Sequence, residues 1–201
     1  MDSQKSWSEL ASSSLLLKAV SSWRKDPESW LEGSFERLPE TVRVNPLRTD
    51  SKWVEEWITE QGGKPVPWFK GPGTAWEMPF SRGLAEGKTR EMLIALHETG
   101  RITRQETVSM IPVLALEVSK GDYVLDMCAS PGSKTTQISE CLGEGGVVFA
   151  NEISNSRANT LVSNVHRHGS KSAVVINHDG RHLPNMPNHG FDKVLVDAPC
   201  T

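Results

Sequence analysis

Apolar residues recur at two different periods along this chain of 201 residues, and the change falls near residue 120. Before it, the spacing is mostly helical. Residues 5–32 place Leu10, Leu15, Leu17, Val20 and Trp23 on a partly amphipathic face, and Asp26-Pro27 breaks the run before a second short helix. Thr41 to Asn45 alternates like a strand and stops at Pro46, which has no N–H for a ladder. With Asp50 as N-cap, Trp53, Val54, Trp57 and Ile58 predict a helix that ends at Gly62-Gly63. The two tryptophans read first as core packing, with base stacking as the alternative. Residues 64–90 are crowded with Pro65, Pro67, Gly71, Pro72 and Gly73 and predict irregular connections around short strands. Arg104 to Val118 is again helical, with Val108, Ile111, Leu114 and Ala115 on the expected apolar side.

Beyond residue 120 short apolar runs alternate with helical patterns. Strands are predicted at Tyr123–Met127, Val147–Asn151, Ala173–Asn177 and Lys193–Asp197, the last as a central strand. Helices are predicted at Ser133–Leu142 and Ser154–His168, the second closed by Gly169. Strand and helix in alternation predict an α/β fold with a parallel sheet covered on both faces.

Composition narrows the picture in three ways. All seven tryptophans precede residue 77, so the chain divides into regions of different make-up. Net charge is −3 with no basic tail or block, so contact with a polyanion must come from a local patch; Arg43, Arg48, Arg101 and Arg104 are the candidates, against the simpler reading of a solvated charged face. The cysteines Cys128, Cys141 and Cys200 lack zinc-ligand spacing and are too few for a disulfide framework, which points to a reducing cytoplasm. Leu15-Leu16-Leu17 is too short for a signal peptide or a membrane span. His166, His168 and His178 have no carboxylate or cysteine at ligand spacing, and no metal is expected.

Chemistry concentrates where the strands end, because a doubly wound sheet binds its ligand at the carboxyl ends of its strands. After the first strand comes Cys128-Ala129-Ser130-Pro131-Gly132-Ser133-Lys134, with small residues that admit a ligand close to the backbone and a helix whose first N–H groups are free. The glycines of a dinucleotide loop and of a phosphate P-loop are both missing. Glu152 ends the second strand, 26 residues after Asp126, where a carboxylate can accept from two ribose hydroxyls. The ligand reads as a nucleoside without a diphosphate, which S-adenosylmethionine satisfies. Asp179 follows the third strand and can accept from an adenine amino group, although a polar turn would look the same. Asp197 and Cys200 follow the fourth; a lone cysteine is usually a small buried hydrophobe, but this one follows a strand aimed at the same pocket.

At these residues the chain resembles the Sun-domain family of RNA (cytosine-5) methyltransferases. Leu125–Gln137 (L-D-M-C-A-S-P-G-S-K-T-T-Q) is similar to the family's cofactor loop and Asp197–Thr201 (D-A-P-C-T) to its fourth motif. Ala150–Arg157 and His178–Arg181 fall where the family keeps cofactor-binding acids, and Arg43–Arg48 and Arg104–Pro112 are similar too; Ala150–Arg157 resembles members acting on ribosomal RNA, Val108–Pro112 and Leu125–Ala129 those acting on transfer RNA, and the substrate stays open between the two.

The resemblance implies a class I methyltransferase fold, Rossmann-like, incomplete at its C-terminal half, with a small N-terminal α/β extension. The expected divisions are a helical segment at 1–40, an RNA-binding-type extension at 41–103 and a partial S-adenosylmethionine-binding domain at 104–201. It assigns Cys128 to Lys134, Glu152, Asp179 and Asp197 to the cofactor and Cys200 to product release. Carbon 5 of cytosine is a poor nucleophile, so the family's thiolate adds first to carbon 6; after methyl transfer the carbon-5 proton leaves and the thiolate is eliminated. The family's attacking cysteine belongs to a Thr-Cys pair in a later motif, so the chain is expected to be a fragment lacking it, inactive by itself and a monomer when complete. The alternative is a non-catalytic RNA-binding or cofactor-binding module.

Overall fold

The computed structural model describes residues 15–143, 145–183, 187 and 189–198. The chain forms two compact units, divided between Leu38 and Pro39. In the first, α1 (Leu15–Ser21) and α2 (Pro27–Ser34) bury Val20 and Leu31 against each other beside Leu17, and Trp23 meets Trp30 edge to face. Residues 5–14 of the predicted first helix lie outside the described residues. Pro27 opens α2, as its missing N–H allows.

The second unit holds two sheets. One is antiparallel, built from β1 (Pro39–Val44), β2 (Lys64–Pro65), β3 (Thr74–Ser81) and β4 (Ile102–Arg104) in the order β2-β3-β1-β4. Helices α3 (Ser51–Glu60) and α4 (Gly87–Glu98) supply Val54, Ile58, Leu93 and Leu96 to its core, beside Val42, Val44, Met78 and Ile102. Trp57 packs against this core, whereas Trp53 faces outward, so the tryptophan pair divides. The stretch expected to be irregular contains the eight-residue β3, and α4 begins inside it at Gly87. Its prolines and glycines masked a strand in which only Ala75 and Met78 are buried, three positions apart rather than alternating.

Helix α5 (Thr107–Ala115) leads to the second sheet and buries Met110 and Val113. Val108 and Ile111, expected inward, are exposed; an apolar residue at almost every position from Met110 to Ala115 leaves the buried side undefined by pattern.

The parallel sheet consists of β5 (Tyr123–Asp126), β6 (Val147–Asn151), β7 (Ala173–Ile176) and β8 (Lys193–Leu195) in the order β7-β6-β5-β8. Between them run α6 (Ser133–Leu142) and α7 (Asn155–His168). The predicted elements fall where expected, within one or two residues at each end. Coverage of both faces does not. From β5 to β6 to β7 the chain steps twice in the same direction, so right-handed crossovers put α6 and α7 on one face. The step back to β8 would cover the other, but its connection contains no helix among the described residues. Tyr123, Val174 and Val194 on that face are therefore 42%, 46% and 44% exposed, and among the described residues β8 pairs with β5. No helix among the described residues is long and apolar enough to cross a membrane.

A buried polar bridge ties the two sheets together. Arg43 on β1 is fully buried; its Nε lies 3.0 Å from Glu140 on α6, its Nη2 donates to Thr136 Oγ1 at 3.0 Å, and its Nη1 donates to Gln105. His168 Nε2 shares Glu140 at 2.9 Å, and Asn45 Nδ2 donates to the carbonyls of Gly100 and His168, each at 2.8 Å.

Candidate functional site

The strand order reverses between β5 and β8, and the crevice at such a switch point is where open α/β sheets take their ligands. Two adjoining cavities open at the carboxyl ends of the strands, sharing Cys128, the smaller at the β5–β8 crevice and the larger over β5, β6 and β7. The larger, about 250 Å³, is lined by Met127, Cys128, Asn151, Glu152, Ile153, Arg157, Asp179, Gly180 and Arg181. The smaller, about 50 Å³, is lined by Asp126, Cys128, Ala129, Ser130, Pro131, Ser133, Lys134 and Asp197. Every described residue assigned to the cofactor except Gly132 thus lines one cavity or the other.

Glu152 sits where β6 ends, 3% exposed, with Oε1 accepting from the Ser154 N–H at 3.0 Å and Oε2 3.4 Å from Arg157 Nη2. Arg157 also donates to the Ser130 carbonyl at 2.9 Å and so links the two strand ends. The long Arg157 contact leaves Oε2 with accepting capacity, and Glu152 lines the larger cavity. Asn151 fixes the neighbouring turn by donating to the carbonyls of Met127 and His178, each at 3.0 Å.

Gly132 has a different task. It caps α6 at φ +109°, and a Cβ there would come within 2.9 Å of Leu161 Cδ1. The room left by its missing side chain is filled by α7; the residue shapes the loop through the turn and through helix contact.

Asp179 and Asp197 are engaged by cations. Arg181 binds both oxygens of Asp179, at 3.0 and 2.6 Å, and this contact holds the carboxyl well below its usual range. Lys134 Nζ lies 2.6 Å from Asp197. Both pairs border the cavities, so an adenine or an amino acid end can reach the carboxylates only beside or in place of these cations.

Sequence reasoning passed over Asp126 itself. Its carboxyl is 1% exposed, accepts from Thr135 Oγ1 at 2.7 Å, and is pushed up to about 6 by burial. Burial in first place, then the charges of Glu152 and Asp126, also raises the Cys128 thiol, which marks it as a lining residue rather than a thiolate. Arg157 was missed too, although it ends the quoted A-N-E-I-S-N-S-R run. Cys200 lies outside the described residues. The four arginines offered as phosphate contacts all have partners inside the protein: Arg43 in the bridge, Arg48 on the Arg167 carbonyl at 2.7 Å, Arg101 on Asp50 at 2.6 Å and Arg104 on Glu40 at 2.8 Å. No group of three or more metal-ligating side chains occurs among the described residues.

A parallel sheet of this order, with a small-residue loop after its first strand and a buried acid after its second, defines a class I methyltransferase fold. Residues 113–201 match the family described as 16S rRNA methyltransferase RsmB/F, and the chain belongs to the Sun-domain family of RNA (cytosine-5) methyltransferases. It is 34% identical over 163 residues to the 25S rRNA (cytosine-C(5))-methyltransferase nop2 of Schizosaccharomyces pombe, covering 81% of this chain and 26% of that protein. It is also 34% identical to the tRNA (cytosine(49)-C(5))-methyltransferase of Pyrococcus abyssi, covering 88% of this chain and 54% of that one. Among solved structures, a methyltransferase homolog protein from Pyrococcus horikoshii superposes with a TM-score of 0.69 at 29% identity, covering 89% of this chain and 56% of the other. The chain therefore spans from about a quarter to about half of these relatives.

Proposed function

We propose that the chain is the S-adenosylmethionine-binding part of an enzyme that forms 5-methylcytosine in RNA. The observation that carries this reading is Glu152: a buried carboxylate at the second strand's end, lining a cavity of about 250 Å³, whose Oε2 meets Arg157 at 3.4 Å and can accept further bonds. Family membership supplies the reaction.

The residues fit the cofactor. Glu152 accepts from the ribose hydroxyls, Asp179 receives the adenine edge next to Arg181, and the Cys128–Lys134 loop with Asp197 borders the methionine end. The cofactor brings an electrophilic methyl group bonded to a cationic sulfur. Around it, Asp126 adds negative charge once ionised, and Cys128, held as a neutral thiol, leaves the nucleophile's role to another cysteine. Cys200, in the Asp197-Ala198-Pro199-Cys200 motif, assists the loss of the carbon-5 proton and the release of product. The attack on carbon 6 belongs to the later Thr-Cys pair of the family.

The substrate is an RNA cytosine, in ribosomal or transfer RNA, the two classes named for the relatives. In this reading residues 41–103 form the RNA-side extension and 104–201 the cofactor domain, behind the helical segment 1–40. The enzyme works in the cytoplasm, without metal, as a monomer. Calorimetric titration of the folded chain with S-adenosylmethionine tests the reading: saturable heat is expected, and none from a folded sample argues against it.

A further inference from the structure

A second cleft, of about 310 Å³, opens between β4 and the α6–α7 pair, away from Glu152. Among its walls are Arg82, His97, Arg104, Ser133, Arg167 and His168, and no acidic side chain lines it. Arg82 is paired with Glu106 and Arg104 with Glu40. Arg167 is different: its main-chain carbonyl is held by Arg48, but its guanidinium has no ion pair among the described residues. Its charge is felt in the cleft, where burial first and then Arg167 lower the pKa of His97.

The cleft also holds an unused hydrogen-bonding position. His168 is 3% exposed and bonds Glu140 through Nε2, yet its Nδ1 is buried with no partner. A buried polar nitrogen left unpaired costs about 1–3 kcal/mol, so the His168 Nδ1 points to a ligand beside it; with Nε2–H on Glu140, Nδ1 donates to an oxyanion when both ring nitrogens carry hydrogen. Pro131, Gly132 and Ser133 of the loop after β5 line this cleft, and Pro131 and Ser133 also border the smaller cavity, which puts the positive end of α6 at the cleft's edge.

We propose that this cleft seats a phosphodiester group of the RNA backbone, with Arg167 as the free cation and the His168 ring and the first turn of α6 around the oxyanion. This rests on the RNA-substrate reading but not on the cofactor. Such a contact fixes the position of the strand and carries no sequence information.

Fluorescence anisotropy of a labelled single-stranded RNA, titrated with the full chain across a range of KCl concentrations, tests the proposal. Arg167→Gln, which breaks no ion pair seen among the described residues, is expected to weaken binding about threefold to tenfold and to make the salt slope shallower by about 1. Arg167→Lys should keep the slope, and Lys120→Gln, exposed just before β5 and so at the opposite end of the parallel strands from the cavities, should change neither quantity. Unchanged binding in Arg167→Gln, or an equal loss in Lys120→Gln, overturns the proposal. Inorganic phosphate that binds the chain as tightly as the RNA also overturns it, by making the occupant a free anion. Calorimetry with S-adenosylmethionine keeps the two readings apart: Arg167→Gln should bind the cofactor as the unaltered chain does, and a chain that binds RNA through Arg167 but no cofactor fails only the earlier reading.

Discussion

Replacing Arg43 by Met tests how the antiparallel sheet is fixed to the cofactor domain. Arg43 and Glu140 have side chains 0% and 1% exposed and lie 3.0 Å apart, so neither charge has water to fall back on. Methionine roughly keeps the volume but removes every bond the guanidinium makes to Glu140, Thr136 and Gln105. Removing one partner of a buried pair costs about 3–5 kcal/mol, because the other is left charged and unsolvated. His168 still bonds Glu140 and offsets part of this, so the lower end of that range is expected. For a domain stable by about 5–15 kcal/mol the loss is large. In the double variant Arg43→Met/Glu140→Met the stranded charge is gone, and stability should return to within about 1–2 kcal/mol of the unaltered chain. Urea unfolding followed by tryptophan fluorescence measures all the variants. A single-variant loss below about 1 kcal/mol, or a double variant no better than Arg43→Met alone, would refute this account of the bridge.

Other outcomes follow from single residues. Asp126 has a folded pKa raised from 3.8 to about 6, so its contribution to stability is complete below pH 4 and lost as pH rises through 6. Asp126→Asn should therefore gain on the unaltered chain across that window, by up to about 3 kcal/mol at pH 7; a difference flat with pH would contradict the burial argument. Gly132→Ala should cost about 1–3 kcal/mol by denaturant unfolding, since the new methyl meets Leu161 at a φ that alanine disfavours. Trp57→Ala should cost about 3 kcal/mol and the outward Trp53→Ala under about 1, which a pair of thermal melts distinguishes.

The parallel half of the fold was legible because its strands and helices each carry a local signal. Gly169 ends α7 in the left-handed conformation its sequence position suggests, and Val147–Asn151 was readable as a strand from its run of apolar residues. What was not legible depends on partners far away in sequence. Arg43 looked like a surface cation because nothing near it announces Glu140, 97 residues on. Asp179 looked free because a two-residue contact with Arg181 depends on a side-chain conformation rather than a pattern. The open face of the parallel sheet followed from strand order, which periodicity does not encode. Glu152 was proposed from its place at a strand end, whereas the raised pKa of Asp126 arises from burial, and sequence does not display burial at a polar position.

The central claim is that the Glu152 carboxylate holds a ribose, and a thermodynamic cycle addresses it directly. Equilibrium dialysis would compare S-adenosylmethionine with its 2′,3′-dideoxy analogue on the unaltered chain and on Glu152→Gln. Charge-assisted hydrogen bonds of this kind contribute about 1.5–3 kcal/mol, so either change alone should weaken binding about tenfold to a hundredfold, and both together little more than one. Losses that simply multiply, or a Glu152→Gln chain that binds the cofactor as tightly as the original, would contradict it.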